Sequence, residues 1–273
     1  MKTSRALTIA RTDLRQLRQS RDFWMPMLLM ALLFFVVLPT VLLLGVVRAE
    51  RLGAVQQVGE VLDDQLPELE QGLQGQTAGQ QRSYGLAVYL LAPLAVVVPM
   101  TISSAVGANT IVGEREKGTG EFLANSPATE REIYVGKLIA SLLPGYIATL
   151  AGFAVYSIIV NLIVGPSVGG WFFPTGNWYV LILWVVPPFL ALGLSLILQL
   201  SGRVKSATAA QQSTGLITLP LILLSYAQSS GFVFSSSAGA LTVGAIAWGL
   251  ALLGLWRGAS AVSRARLLGA DAA

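Results

Sequence analysis

The sequence predicts an all-α membrane protein with six transmembrane helices, and three observations predict it. First, 54% of its 273 residues are hydrophobic and only 12% are charged, whereas soluble domains carry about 25% charged residues. A core of that size cannot bury so much apolar surface in water, so lipid is the solvent that suits it. Second, residues 138–202 and 206–256 contain no Asp, Glu, Lys or Arg. About 20 apolar residues cross a bilayer, so the first stretch holds two spans and the second two shorter ones. Third, Lys and Arg concentrate in alternate connections, as positive-inside topology requires.

In chain order the spans are expected at residues 23–47, 84–108, 138–164, 178–200, 212–228 and 239–257. Ahead of them, residues 1–22 form the first element. Leu7, Ala10, Leu14 and Leu17 share one helical face, and Arg11, Arg15 and Arg18 share another. That pattern predicts an N-terminal amphipathic interfacial helix, an elbow lying on membrane lipid at the cytoplasmic surface. Span one opens with Phe23 and Trp24, side chains suited to the interface. Its apolar run of about 25 residues exceeds the 7–15 of a signal peptide.

The connection 48–82 sets Glu50, Glu60, Asp63, Asp64, Glu68 and Glu70 against Arg48, Arg51 and Arg82. Val58, Leu62, Leu66, Leu69 and Leu73 recur at helical spacing. This predicts a small extracellular helical loop, either a connector or an outer lid, with the Gly/Gln-rich 72–81 as a flexible return. Residues 165–177 hold Trp171, Phe172 and Phe173, followed by Trp178 and Tyr179, which predicts an interfacial aromatic belt. Pro93, Pro99, Pro144, Pro187, Pro188 and Pro220 fall inside spans two to five, where each removes a helical hydrogen bond and bends the helix.

Basic residues set the orientation. Lys2, Arg5, Arg11, Arg15, Arg18 and Arg21 precede span one, and Arg115, Lys117, Arg131 and Lys137 follow span two. Arg203 and Lys205 follow span four, and Arg257, Arg264 and Arg266 end the chain. Fifteen of the 18 therefore lie on one side, which places both termini in the cytoplasm. The net charge of +4 follows this topology rather than a nucleic-acid face.

Several chemistries are excluded. With no Cys and no His the chain has no disulfide, no H-E-x-x-H metal site and no Ser-His-Asp triad. Gly165-Pro166-Ser167-Val168-Gly169 matches G-x-S-x-G by chance, since no base accompanies it. An ion-coupled secondary transporter places ionisable groups in its spans, and these have none. Asn161, Gln199, Gln211, Gln212 and Gln228 lie near span ends or along a path, but they cannot titrate. The uncharged interior favours a hydrophobic or amphipathic cargo over a free ion.

The informative segment is residues 109–137, NTIVGEREKGTGEFLANSPATEREIYVGK, where five carboxylates meet four bases. Ser126 and Pro127 predict a turn, and a second short helix from about 128 would carry Glu130 and Glu132 in its first turn, where negative charge is favourable. Gly113, Glu114, Arg115, Glu116, Gly118, Thr119 and Glu121, then Ser126-Pro127, Arg131-Glu132 and Gly136-Lys137, reproduce in order a G-E-R-E-x-G-T-x-E signature and its sequel. This resembles the loop after the second span of ABC-2 type permeases. The six spans, cytoplasmic termini and elbow extend the resemblance over nearly the whole chain, 1–273, as a single transmembrane domain. The loop 48–82 is similar to that of the sodium-extrusion and drug-export branches.

The resemblance implies a permease subunit of an ATP-driven exporter in the plasma (inner) membrane of a prokaryote. In that family the loop forms a cytoplasmic coupling helix that docks on a separate ATP-binding subunit. Two permeases, identical or paralogous, join two ATPases. Gly113, Glu114, Arg115, Glu116, Gly118, Thr119 and Glu121 are then the contact residues. The chain itself has no P-loop, because Gly136-Lys137 is followed by Leu138 and position 131 is Arg. ATP and Mg are therefore expected on the partner, and no enzyme activity or cofactor on this chain. The alternative is an ABC-2-like membrane scaffold or assembly factor.

Overall fold

The computed structural model describes residues 3–51, 78–92, 94–110, 125–200 and 237–261. Among these residues the protein is all helix and turn, without a strand. The predicted contact residues Gly113, Glu114, Arg115, Glu116, Gly118, Thr119 and Glu121 lie outside them. So do span five, Pro220, and most of the 48–82 loop with its Val58–Leu73 periodicity.

Helix α1 is Thr3–Gln19. A single bent rod follows, made of α2 (Arg21–Leu32), a π-helical turn (Leu33–Val37) and α3 (Leu38–Arg51). Its segment Trp24–Arg48 is long and apolar enough to cross a membrane. Two further segments meet that standard, Glu130–Ile163 and Gly176–Ser195.

The region expected as span two begins early and breaks. Helix α4 (Ala78–Gly85) replaces the flexible return expected there. Gln80 and Gln81 are good helix formers, and α4 runs straight on into the π-helical turn Leu86–Leu90. The chain turns at Leu91 and Ala92, and α5 (Leu94–Ala108) begins afresh. Pro93, where a bend was predicted, lies outside the described residues, whereas Pro99 sits inside α5.

Helix α6 spans Glu130–Ile163 without a break, and Pro144 lies within it. It replaces two predicted pieces, a short helix from about 128 and a span from 138. The reason is at its start. Thr129 and Glu132 form a reciprocal capping box, with Glu132 N–H donating to Thr129 Oγ1 at 3.3 Å and Thr129 N–H to Glu132 Oε2 at 2.9 Å. Such a box starts a helix, and nothing up to Ile163 stops it.

Gly165–Val168 (α7) is one helical turn, not the strand-to-helix elbow of a hydrolase, and it ends at Gly169 with φ 97°. Helix α8 (Gly176–Val180), a π-helical turn (Leu181–Val185) and α9 (Val186–Leu200) form the next rod. Pro187 and Pro188 open α9 directly after the π-helical turn. Helix α10 is Ser237–Ala261.

Helix α6 is the hub, packed against α1, α5 and α9. Close approach requires small side chains, as is usual between membrane helices. A Cβ at Gly145 of α6 would strike Ser103 Oγ and lie 2.8 Å from the Pro99 carbonyl oxygen of α5. One face of the bundle thus fixes α5 firmly to α6.

The predicted aromatic belt divides in two. Trp171 and Tyr179 are exposed, as a belt requires, but Phe173 and Trp178 are fully buried. Phe153 stacks on Trp178 at 5.8 Å, and Tyr156 meets Phe173 edge-on at 5.3 Å. These rings form a core cluster rather than an interfacial girdle, because the loop carrying them folds back over α6. Asn161 fastens that loop. Its Oδ1 accepts from the Phe172 and Phe173 amides at 2.9 and 3.0 Å, and its Nδ2 donates to the Phe173 carbonyl at 2.5 Å. It is a loop clasp, not the lining of a path.

Candidate functional site at the charged end of the bundle

The 109–137 segment leaves the bundle after α5 and returns at α6. The described residues include both of its ends. At the returning end the capping box fixes Thr129, and Arg5 of α1 donates to the Pro127 carbonyl at 2.7 Å. Ser126 and Pro127 form the turn that their sequence predicts, with Ala128 N–H reaching Ser126 Oγ at 3.4 Å. Glu130 and Glu132 occupy the first helical turn.

One turn further along α6, Lys137 is almost wholly buried at 1% exposure. A buried ammonium must be paired and hydrogen-bonded. Lys137 Nζ donates to the Thr110 carbonyl at 2.5 Å and lies 3.4 Å from Asp13 Oδ2 of α1. Thr110 Oγ1 in turn meets Ser141 Oγ at 3.2 Å. One side chain therefore ties together three segments: the elbow helix, the exit of α5 and the start of α6. Thr110 and Asn125 bracket the residues outside the description, so the clamp sits at the root of the loop.

Asp13 is buried as well, and burial pushes its carboxyl above the usual carboxylate range while Lys137 pulls it partly back. The elbow reaches this position because its own contact face is small. Ala6 and Ala10 are buried against α6. Across the seam, a Cβ at Gly136 would meet the Ala6 carbonyl oxygen at 2.8 Å. The expected amphipathic helix exists, but its faces differ from those predicted. Ala10 belongs with Ala6 and Asp13 on the docked face, Leu14 and Leu17 are half-buried, and Leu7 is exposed beside Arg11, Arg15 and Arg18.

Lys137 was legible as part of the loop signature, but its partner was not. Asp13 is the single carboxylate among the first 21 residues. A lone acid on a basic helix is the signal that could have found it. Thr110 and Arg5 contribute mainly through position, which spacing alone does not show. Among the described residues no cluster of His, Cys, Asp or Glu could hold a metal ion. The site's described contacts are an ammonium, a carboxylate and a backbone carbonyl that join three segments.

Three helical segments long and apolar enough to cross a membrane define a multi-pass membrane protein. The family model described as ABC-2 family transporter protein matches residues 7–257. The chain belongs to that family and is a membrane permease component of an ABC transporter. No curated protein matches it.

Proposed function

We propose that this chain is the permease subunit of an ATP-driven exporter and that its 109–137 loop couples it to a separate ATP-binding subunit. The single domain 1–273 crosses the inner membrane of a prokaryote six times with both termini in the cytoplasm. The elbow 1–22, the outer loop 48–82 and the coupling loop 109–137 are its extramembrane parts. Two permeases and two ATPases form the working unit, and ATP and Mg reside on the latter. The chain is not an enzyme by itself. The uncharged helix interiors suit a hydrophobic or amphipathic cargo.

The observation that carries this reading is the clamp of Lys137 on Asp13 and Thr110. Force arriving at the loop passes into α1, α5 and α6 together instead of dissipating in a loose connector. Glu114, Arg115, Glu116 and Glu121 offer charges of both signs for charge-assisted bonds to the partner, and Gly113, Gly118 and Thr119 complete the proposed contact.

The test is co-expression with the ABC ATP-binding subunit encoded beside it, in wild type and in Glu114→Ala/Glu116→Ala. Wild type is expected to co-purify with the ATPase, and the double variant to lose either the partner or permease-stimulated ATP turnover. No co-purification, or an unaffected double variant, returns the loop to a solvated connector and reopens the scaffold and ion-coupled readings.

A further inference from the structure

The interruption between the π-helical turn and α5 leaves the backbone carbonyls of Ala87 and Val88 without donors from the turn. Leu91 N–H donates to the Leu86 carbonyl, Ala92 N–H to the Tyr89 carbonyl, and Pro93 has no N–H. The carbonyls of Ala87 and Val88 therefore receive nothing from the turn that follows them. In an apolar bundle every such group must find a donor within the protein. Two side chains from other helices supply it. Tyr156 of α6 donates its hydroxyl to the Ala87 oxygen at 2.5 Å, and Trp178 of α8 donates its indole N–H to the Val88 oxygen at 2.8 Å.

The two sides of the interruption are held differently. Below it, α5 is locked to α6 by the contact of Gly145 with Ser103 and Pro99. Above it, residues 78–92 are joined to α5 by a turn, rest on α3, and are hydrogen-bonded to α6 and α8 through these two donors. Tyr84 adds a ring contact with Phe172 at 5.2 Å. A small cleft opens at the break, lined by Leu91 and Leu94 from its two sides and by Phe34, Phe35, Tyr156 and Trp178. Every lining side chain is apolar or aromatic, so the cleft is closed by whatever keeps the upper segment in place.

We propose that Tyr156 and Trp178 are positioning residues of an outer latch, holding residues 78–92 closed over this cleft, and that the latch is released during the transport cycle. Release swings the upper segment about the turn at Leu91 and Ala92 while α5 stays with α6. The freed carbonyls take water, which enters as the cleft opens. The inference goes beyond coupling at the charged end and does not depend on which residues touch the ATPase.

The chain's lack of cysteine makes the test direct. Ser83 is fully buried in the upper segment, and its hydroxyl has no hydrogen-bond partner, so Ser83→Cys is a nearly isosteric reporter. Maleimide labelling of this variant in lipid nanodiscs is expected to be slow. Adding Tyr156→Phe or Trp178→Phe should accelerate it about five-fold, since removing one hydrogen bond shifts the opening equilibrium by that order. Either single variant suffices if the other fails to fold. A Gln16→Cys reporter on exposed α1 must stay unchanged, because parallel acceleration there would signify general loosening and overturn the latch. Unaltered Ser83→Cys labelling in a folded variant also overturns it. In a complex with verified ATP turnover, trapping with ATP and vanadate should accelerate labelling as well. Equal labelling in resting and trapped complexes removes the latch from the transport cycle, whereas failure to form a complex counts against coupling and leaves the latch arm standing.

Discussion

The two ends of α6 face the same physical problem and solve it by opposite chemistry. At the charged end a buried ammonium and carboxylate, Lys137 and Asp13, hold three segments together. At the aromatic end the neutral groups of Asn161, Tyr156 and Trp178 serve backbone amides and carbonyls left over by a loop and a broken helix. A charge pair makes a stiff joint, since breaking it strands a charge away from water. Neutral hydrogen bonds exchange for water at a cost of about 1 kcal/mol each. The contrast suits the coupling proposed for one end and the latch proposed for the other.

The comparison breaks most readily at Lys137. Lys137→Met leaves Asp13 buried without its cation and is expected to destabilise the protein by about 3–5 kcal/mol. Asp13→Leu/Lys137→Met removes both charges and should recover most of that loss, because well-packed apolar groups replace a buried pair at little cost. Thermal unfolding in detergent measures both. A double variant no better than the single would show that the Thr110 contact, not the pair, dominates.

A smaller effect is expected at the other end. Asn161→Leu strands the Phe172 and Phe173 amides and should cost roughly 1–3 kcal/mol, read by the same melting curves. Its partners are neutral, so the loss should be the same at every pH. If Asn161→Leu exceeds Lys137→Met, the aromatic end is the stiffer one and the comparison inverts.

The smallest effect is the pH dependence of the charged end. Burial raises the Asp13 carboxyl above its unfolded value of 3.8. The folded state then binds the proton more tightly than the unfolded state, so this group makes stability fall as pH rises from 3.8 through the folded value. Asp13→Asn should flatten that slope in melting curves taken between acidic and neutral pH. An unchanged slope would assign it to other carboxylates.

Much of the fold was legible where charge is absent. The charge-free stretch 138–202 holds most of the rods Glu130–Ile163 and Gly176–Leu200. Their boundaries were less legible. Ser126-Pro127 and the acids Glu130 and Glu132 marked a helix start at about 128, but the charges up to Lys137 concealed that this helix and the next span are one rod, begun by the Thr129–Glu132 capping box. Aromatic composition misled in another way. Trp171 and Trp178 are the same residue type in one short segment, and only the fold-back over α6 decides which is exposed and which is core. The clamp could not be read because Asp13 and Lys137 are 124 positions apart, and no local pattern pairs them. The Gly113–Glu121 signature was legible only through its family resemblance, since its charges by themselves describe any solvated face.

Helix α6 carries a further consequence in its length. Its 34 residues make a rod about 51 Å long at 1.5 Å per residue, against a hydrocarbon layer about 30 Å thick. Its first eight residues, Glu130–Lys137, extend about 12 Å beyond the uncharged stretch. They belong to the same helix as the part that crosses the apolar layer, although its ladder loses one hydrogen bond at Pro144. The tip and the membrane-crossing part are thus one continuous helix, and Pro144 marks the place between Glu130 and Tyr156 where it bends most readily.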